Sequence, residues 1–203
     1  MKFWKAIAAG VVVVVVAVFA YGTILIQRGF SARAQPSAVE KLVAREVRNM
    51  AIPARARNER NPWKDRFTPE VLAYTRHHFA DHCATCHAND GGGQVEMGQG
   101  LYPKPPDMRL ADTQNLTDGE LYYIIENGVR LTGMPAWGDP DSTELDDDSW
   151  QLVLFIRHLP QLTADELKDM EHYNPTGPFD AEEEQHEGQG AASGQPAGGH
   201  HHH

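Results

Sequence analysis

The stretch Cys83-Ala84-Thr85-Cys86-His87 decides the fold. It has the form C-x-x-C-H, the attachment signature of a c-type haem. Two thiols three positions apart lie about one helical turn from each other, so both reach the vinyl groups of one porphyrin. The histidine that follows is pinned beside the macrocycle, where its imidazole fills one axial position of the iron. A competing reading makes His82, Cys83, Cys86 and His87 four zinc ligands. Its geometry is poor, because neighbours on one turn diverge and zinc sites usually draw ligands from two separated pairs. A plain redox dithiol is the other competitor. The haem reading outranks both.

One imidazole leaves the far axial position open, and function hangs on what fills it. The chain has six methionines. Met1 and Met50 lie outside the haem region, and Met170 falls in a short predicted last helix. Met97 and Met108 follow His87 closely in sequence, where the chain first wraps the haem edge. Met134 remains, in Val129-Arg130-Leu131-Thr132-Gly133-Met134-Pro135-Ala136-Trp137. Glycine before it and proline after it define a rigid loop that presents a thioether with no helix in the way. Soft sulfur suits haem iron, and His/Met ligation raises the reduction potential relative to His/His. The bland alternative is a packed apolar loop residue.

Around these ligands the sequence predicts helices. Thr68 caps, Pro69 takes the first helical position, and Val71, Leu72, Thr75 and Phe79 mark a buried face running into the motif. Asn89 to Gly100 reads as glycine-rich loop and Leu101 to Asp107 as a proline-rich turn. Thr117-x-x-Glu120 is a capping box opening a helix through Leu121, Ile124 and Ile125 that stops at Asn127-Gly128. Asp146, Asp147 and Asp148 precede a helix from Trp150 to His158 and read as dipole-matched caps rather than a metal site. Leu159-Pro160 ends that helix. Thr163-x-x-Glu166 begins a short last one, ended by Asn174-Pro175.

Farther out, Lys2 and Lys5 precede a run from Ala6 to Ile26 without a charge, about the length that crosses a hydrocarbon core. A cleaved signal peptide is the alternative, since Ala32-Arg33-Ala34 has the A-x-A form; the long run and Arg28 and Arg33 beyond it favour an uncleaved anchor. Charge orients it weakly, because Lys2 and Lys5 are matched by Arg28 and Arg33. Ser37 to about Met50 reads as an amphipathic helix with Val39, Leu42, Val43, Val47 and Met50 near one face, opened by Ser37-x-x-Glu40. Ala54 to Pro62 is basic and prolyl, a stalk in the plainer reading and a docking strap for another membrane subunit in the sharper one. Its arginines also suit anionic headgroups. From Thr176 the chain lacks apolar periodicity, and the expectation is disorder. Its last four histidines fit an affinity-tag remnant and a natural metal-catching tail equally. The expected organisation is thus an anchor over 1–27, a stalk over 28–67, a haem domain over 68–162, a short helix over 163–175 and an acidic, His-ended tail over 176–203.

Composition bounds the rest. The net charge of −10 argues against nucleic-acid binding, which needs a basic footprint. An acidic surface suits a basic docking partner, or simply solubility. The two cysteines both lie in the motif, so thioether formation leaves no structural disulfide. His77, His78, His82, His158, His172 and His186 are scattered and read as surface residues.

A C-x-x-C-H after an aromatic-bearing helix, a Gly-Met-Pro loop and an aromatic C-terminal helix together resemble the class I mono-haem cytochromes c, of the membrane-anchored bacterial periplasmic kind. The resemblance covers about Thr68 to Leu162. It implies an all-α cytochrome c fold wrapped around one covalent haem c on Cys83 and Cys86, with His87 and Met134 on the iron. It implies that Phe79 packs where the first and last helices cross, with Trp150 and Phe155 as candidate partners. The family's glycine four residues before that aromatic is Thr75 here, and a slightly wider crossing is expected. It also implies that the Pro106 carbonyl receives the proximal imidazole N–H, with Pro103 and Pro105 as competitors. Tyr102, Tyr123, Arg130 and Trp137 become candidate haem-edge or propionate contacts.

With both axial positions filled by protein, no substrate reaches the iron. The expected activity is one-electron transfer, by a carrier rather than an enzyme, as a shuttle or as a subunit of an oxidoreductase complex. Attachment of such haem outside the cytoplasm places the domain on the periplasmic side of a bacterial inner membrane, held by a single N-terminal transmembrane helix. Expected partners are a quinol-oxidising complex, a terminal oxidase or a reductase. The alternatives are a haem enzyme or gas sensor with a displaceable sixth ligand, and a periplasmic metal-binding protein working through the histidine tail.

Overall fold

The computed structural model describes residues 2–175 except 30, 140 and 142–145. The expected tail over 176–203, with its histidines, lies outside the described residues. Among those residues the chain is all-helical, with no strand.

Helix α1 (Lys2–Arg28) is continuous, and its stretch Phe3–Arg28 is not buried. At about 1.5 Å per residue its apolar stretch has the length and composition of a membrane span, and equally of a signal sequence. Helix α2 (Ala38–Ala51) opens with the reciprocal Ser37–Glu40 capping box, which satisfies two backbone donors at once. It buries none of its side chains.

The expected stalk is not free over its second half. Helix α3 (Ala54–Asn58) packs on α8 (Asp118–Asn127), with Ile52 and Ala56 buried. Gly119 of α8 faces the Ala56 carbonyl so closely that a Cβ there would collide with it. Asn61, itself buried, donates to the Trp150 carbonyl at 2.8 Å, and Trp63 Nε1 donates to Asp147 at 2.8 Å. The folded body therefore begins near Ile52 rather than at Thr68. The basic composition of the segment hid three anchors, buried Ile52 and Ala56 and half-buried Trp63, whose packing only the partner helices reveal.

The core is a crossing of α4 (Pro69–His82) with α9 (Asp147–His158). Phe79 and Phe155 meet at 5.0 Å between ring centroids, both fully buried. Trp150 turns instead to Tyr122, stacked at 4.0 Å. Thr75 is buried in the crossing, its hydroxyl donating to Val71 O at 2.8 Å and lying 3.4 Å from Gln151. This back-bond spares a buried hydroxyl the cost of desolvation. Helix α10 (Ala164–Met170) closes the far side of α4: Met170 is fully buried, and Arg76 bonds Asp169 at 2.6 Å. Met170 and, half-buried, Leu167 thus join the core.

Three short helices lie between these elements: α5 (Ala84–His87), α6 (Glu96–Gly100) and α7 (Ala111–Gln114). Helix α6 stands where loop was expected, and α7 lies in a stretch the sequence reading left unassigned. Helix α6 exists because Gly98 lets it lie against the Cys86 carbonyl, a contact that any side chain would block. Helix α7 is tied down by Gln114, whose amide donates to Met108 O at 2.7 Å and Ile156 O at 2.8 Å. Arg157 locks the same corner by donating to the carbonyls of Gln114 and Leu116 and to Asp118.

Candidate haem site

Helix α4 ends at His82, and Cys83 caps the single turn of α5 that carries Cys86 and His87. The Cys86 and His87 amides both donate to the Cys83 carbonyl, at 3.2 and 3.0 Å, so the turn is fixed by its own backbone. Gly93 N donates to His87 O at 2.7 Å, which folds the following loop back over the turn. That loop is clamped by Arg109, which bonds Asp90 at 2.5 Å and Asp107 at 2.6 Å. The guanidinium holds the Asp107 carboxyl below the usual carboxylate range.

On the other side, Met134 is presented by the loop after α8. Val129 N donates to Met134 O at 3.1 Å, and Met134 N donates to the Thr132 hydroxyl at 3.1 Å. Trp137 N and Gly138 N reach back to the carbonyls of Ile125 and Glu126, each at 3.1 Å. Gly128 makes the turn possible: its φ is +62°, and a Cβ there would stand 2.5 Å from the Pro135 carbonyl carbon. Glycine alone takes this conformation without strain.

Between the two halves lies a cavity of about 290 Å³. His87 and Met134 both line it, with Cys83, Trp137 and the apolar walls Phe79, Met108, Ile125, Leu152 and Ile156. Burial holds the His87 imidazole below its ordinary range. Burial, with the charge of Cys86 adding to it, pushes the Cys83 thiol up to about 12. Both groups are therefore uncharged at neutral pH, as apolar surroundings require. Nδ1 of His87 is buried without a hydrogen-bond partner, so the expected bond to the Pro106 carbonyl is not made.

The site residues foreseen in the sequence divide accordingly. Cys83, His87, Met134 and Trp137 are brought to one cavity, with half-buried Cys86 on the same turn. Pro106, Tyr102 and Arg130 are exposed and not on its wall, and half-buried Tyr123 is not on it either. Tyr102 instead donates to Glu40 of α2 at 3.2 Å. Other residues on the wall were read differently in the sequence, among them His82 as a surface residue and Asp146 and Asp148 as helix caps. Met108, set aside for its closeness to His87, forms part of the wall and is buried. His78, expected at the surface, lines the cavity and stacks on His82 at 4.7 Å, with His82 edge-on to Trp137 at 5.8 Å. Positions 78, 79, 82 and 83 share one helical face, a period that ties His78 to Phe79 and Cys83. Two further histidines are paired with acids, His77 with Asp169 at 2.9 Å and His158 with Glu166 at 3.0 Å.

The arrangement suits a flat, largely apolar, metal-centred group: a nitrogen donor, a sulfur donor and a thiol at one edge, with mainly apolar walls that His78, His82, Ser149, Asp146 and Asp148 join. Residues 72–156 match the model of a family described as cytochrome C oxidase, cbb3-type, subunit III. No curated protein matches the chain. This stretch is a c-type cytochrome domain, in agreement with a mono-haem class I cytochrome, and such a domain implies haem c and electron transfer.

Proposed function

We propose that this c-type cytochrome domain carries single electrons as part of a membrane-tethered mono-haem protein, with haem c attached through Cys83 and Cys86 and ligated by His87 and Met134. The observation that carries the reading is that an imidazole and a thioether from opposite ends of the domain line one apolar cavity beside a thiol of the attachment motif. When bound, the haem supplies a one-electron iron couple. The protein does the rest by holding still. The α5 turn orients His87, the Val129–Met134 hydrogen bond holds the thioether, and Phe79, Ile125, Leu152 and Ile156 exclude water. An apolar enclosure favours the less charged state of a buried centre, and a thioether ligand raises the potential further.

Helix α1 supports a single-pass anchor in a bacterial inner membrane, with the domain on the periplasmic side, where such haem is attached. The matched family's description names an oxidase subunit. That supports a place beside a respiratory oxidase, with a quinol-oxidising complex or a reductase as the other partner. The test is a visible spectrum and a redox titration of the purified full chain. A thioether-to-iron band and a single one-electron wave at positive potential are expected. A high-spin spectrum that shifts with carbon monoxide would overturn the carrier reading in favour of a haem enzyme or gas sensor.

A further inference from the structure

We propose that α2 is an interfacial helix that lies in the surface of an anionic phospholipid bilayer and seats the haem domain against the membrane. The inference rests on the reading of α1 as a membrane anchor.

Five large apolar side chains of α2 are exposed: Val39, Leu42, Val43, Val47 and Met50, each by half or more. They share one side of the helix. The other side is occupied by the domain: Arg45 pairs with Asp112 at 3.2 Å, and Glu40 accepts from Tyr102 at 3.2 Å. The apolar stripe therefore points away from the protein. A stripe of this kind on a helix that carries arginine and lysine on its other side is the signature of a helix lying at the headgroup level.

Two further observations choose lipid as the occupant. The first is reach. Nine residues separate the end of α1 at Arg28 from the start of α2 at Ala38, and fully extended they span only about 30 Å. If α1 crosses a bilayer, α2 starts near its surface. The second is charge. From Arg28 to Arg60 eight basic residues stand against three acidic ones, whereas from Asn61 onward twenty-five acids outnumber eight bases. The basic residues of an acidic chain are thus gathered next to the anchor, where an anionic leaflet attracts them. Lys41 is on α2, while Arg45, Arg48 and Arg57 border a polar cavity of about 330 Å³ between α2 and the domain. Asp112 and Glu120 line the same cavity and pair with Arg45 and Arg57, while Nε of Arg48 is buried there without a partner. Glu46 is the one acid within the apolar arc, which limits the helix to the headgroup level.

The experiment places an indole on the stripe by Val43→Trp in the full haem-loaded chain, reconstituted in nanodiscs that contain phosphatidylglycerol. Because Val43 is exposed, the haem spectrum is expected to remain that of the parent and reports correct folding. Lipids brominated in the acyl chain should quench the new emission about twofold, and more strongly than in phosphatidylcholine alone. The variant Lys41→Trp, on the other side, should be quenched less. Flotation of the full chain with vesicles tests the anchor separately. Flotation without quenching overturns this inference and leaves the anchor intact; loss of flotation overturns both. Emission that shifts only in discs carrying two copies would overturn it in favour of contact between copies of this chain.

Discussion

Replacing Gly128 with alanine should act on the iron without touching any ligand. Gly128 has φ +62° and ψ −167°, a region populated almost only by glycine, and a side chain there costs about 1–3 kcal/mol. The new Cβ would also meet backbone on three sides: Pro135 C at 2.5 Å, Pro135 O at 2.6 Å and Ala136 N at 2.7 Å. None of these is a flexible side-chain end. Carrying the Pro135 carbonyl carbon to ordinary contact at 3.4 Å requires a shift of about 0.9 Å, and Pro135 is bonded directly to Met134. Functional geometry tolerates about 0.5 Å, so the thioether should leave its bonding position in a large share of molecules. Gly128→Ala should therefore lower the unfolding free energy by about 3 kcal/mol. It should also weaken the thioether-to-iron band and lower the reduction potential. Parallel thermal melts, visible spectra and redox titrations of the haem-loaded variant and parent would measure all three. A variant with the parental band, potential and melting temperature would refute the reasoning, because it would show that the loop does not transmit strain to Met134.

Three further expectations follow from the same geometry, and a fourth from the titration of a lining histidine. Met134→Ala should open the iron to carbon monoxide and lower the potential. Met108→Ala should keep the thioether band and lose about 2–4 kcal/mol of stability, because Met108 is a buried wall residue; the reverse pattern would exchange the two roles. Arg157→Ala removes hydrogen bonds to two carbonyls and to Asp118 and should cost about 2–3 kcal/mol in denaturant unfolding; a cost near zero would mean that water replaces the guanidinium freely. Burial, and next the charge of His82, holds His78 below its ordinary value, against the opposing pull of Asp148, Asp146 and Asp81. The folded state then binds fewer protons than the unfolded state, so this contribution is present above about pH 6.5 and is lost as pH falls below it. His78→Gln should flatten that part of the stability profile, and an unchanged difference between parent and variant from about pH 7.5 to about pH 5.5 would show that His78 is solvated.

Local chemistry determined much of this protein by itself. Cys83, Cys86 and His87 are neighbours on one turn, so their joint use needs no tertiary information. The caps at Ser37, Thr68, Thr117 and Thr163 are equally local, since a side-chain oxygen three residues from a backbone N–H closes its hydrogen bond within the segment. The uncharged run of α1 is legible for the same reason.

What remained hidden depends on contacts between residues far apart in the chain. Whether Met108 or Met134 meets the cavity as a loop-borne thioether depends on where two loops are held. Those loops are fixed by Gln114 to Ile156 and by Trp137 to Ile125, and neither pairing has a periodic signature. The burial of Ile52 and Ala56, in a stretch whose arginines suggested a solvated stalk, is decided by the bare surface at Gly119, on a helix far along the chain. His78 lines the cavity beside Phe79, whose contact with Phe155 joins α4 to a helix far along the chain. A sequence states which residues favour burial or iron; only the packed chain, by excluding every other arrangement of the same volume, decides which of them meet.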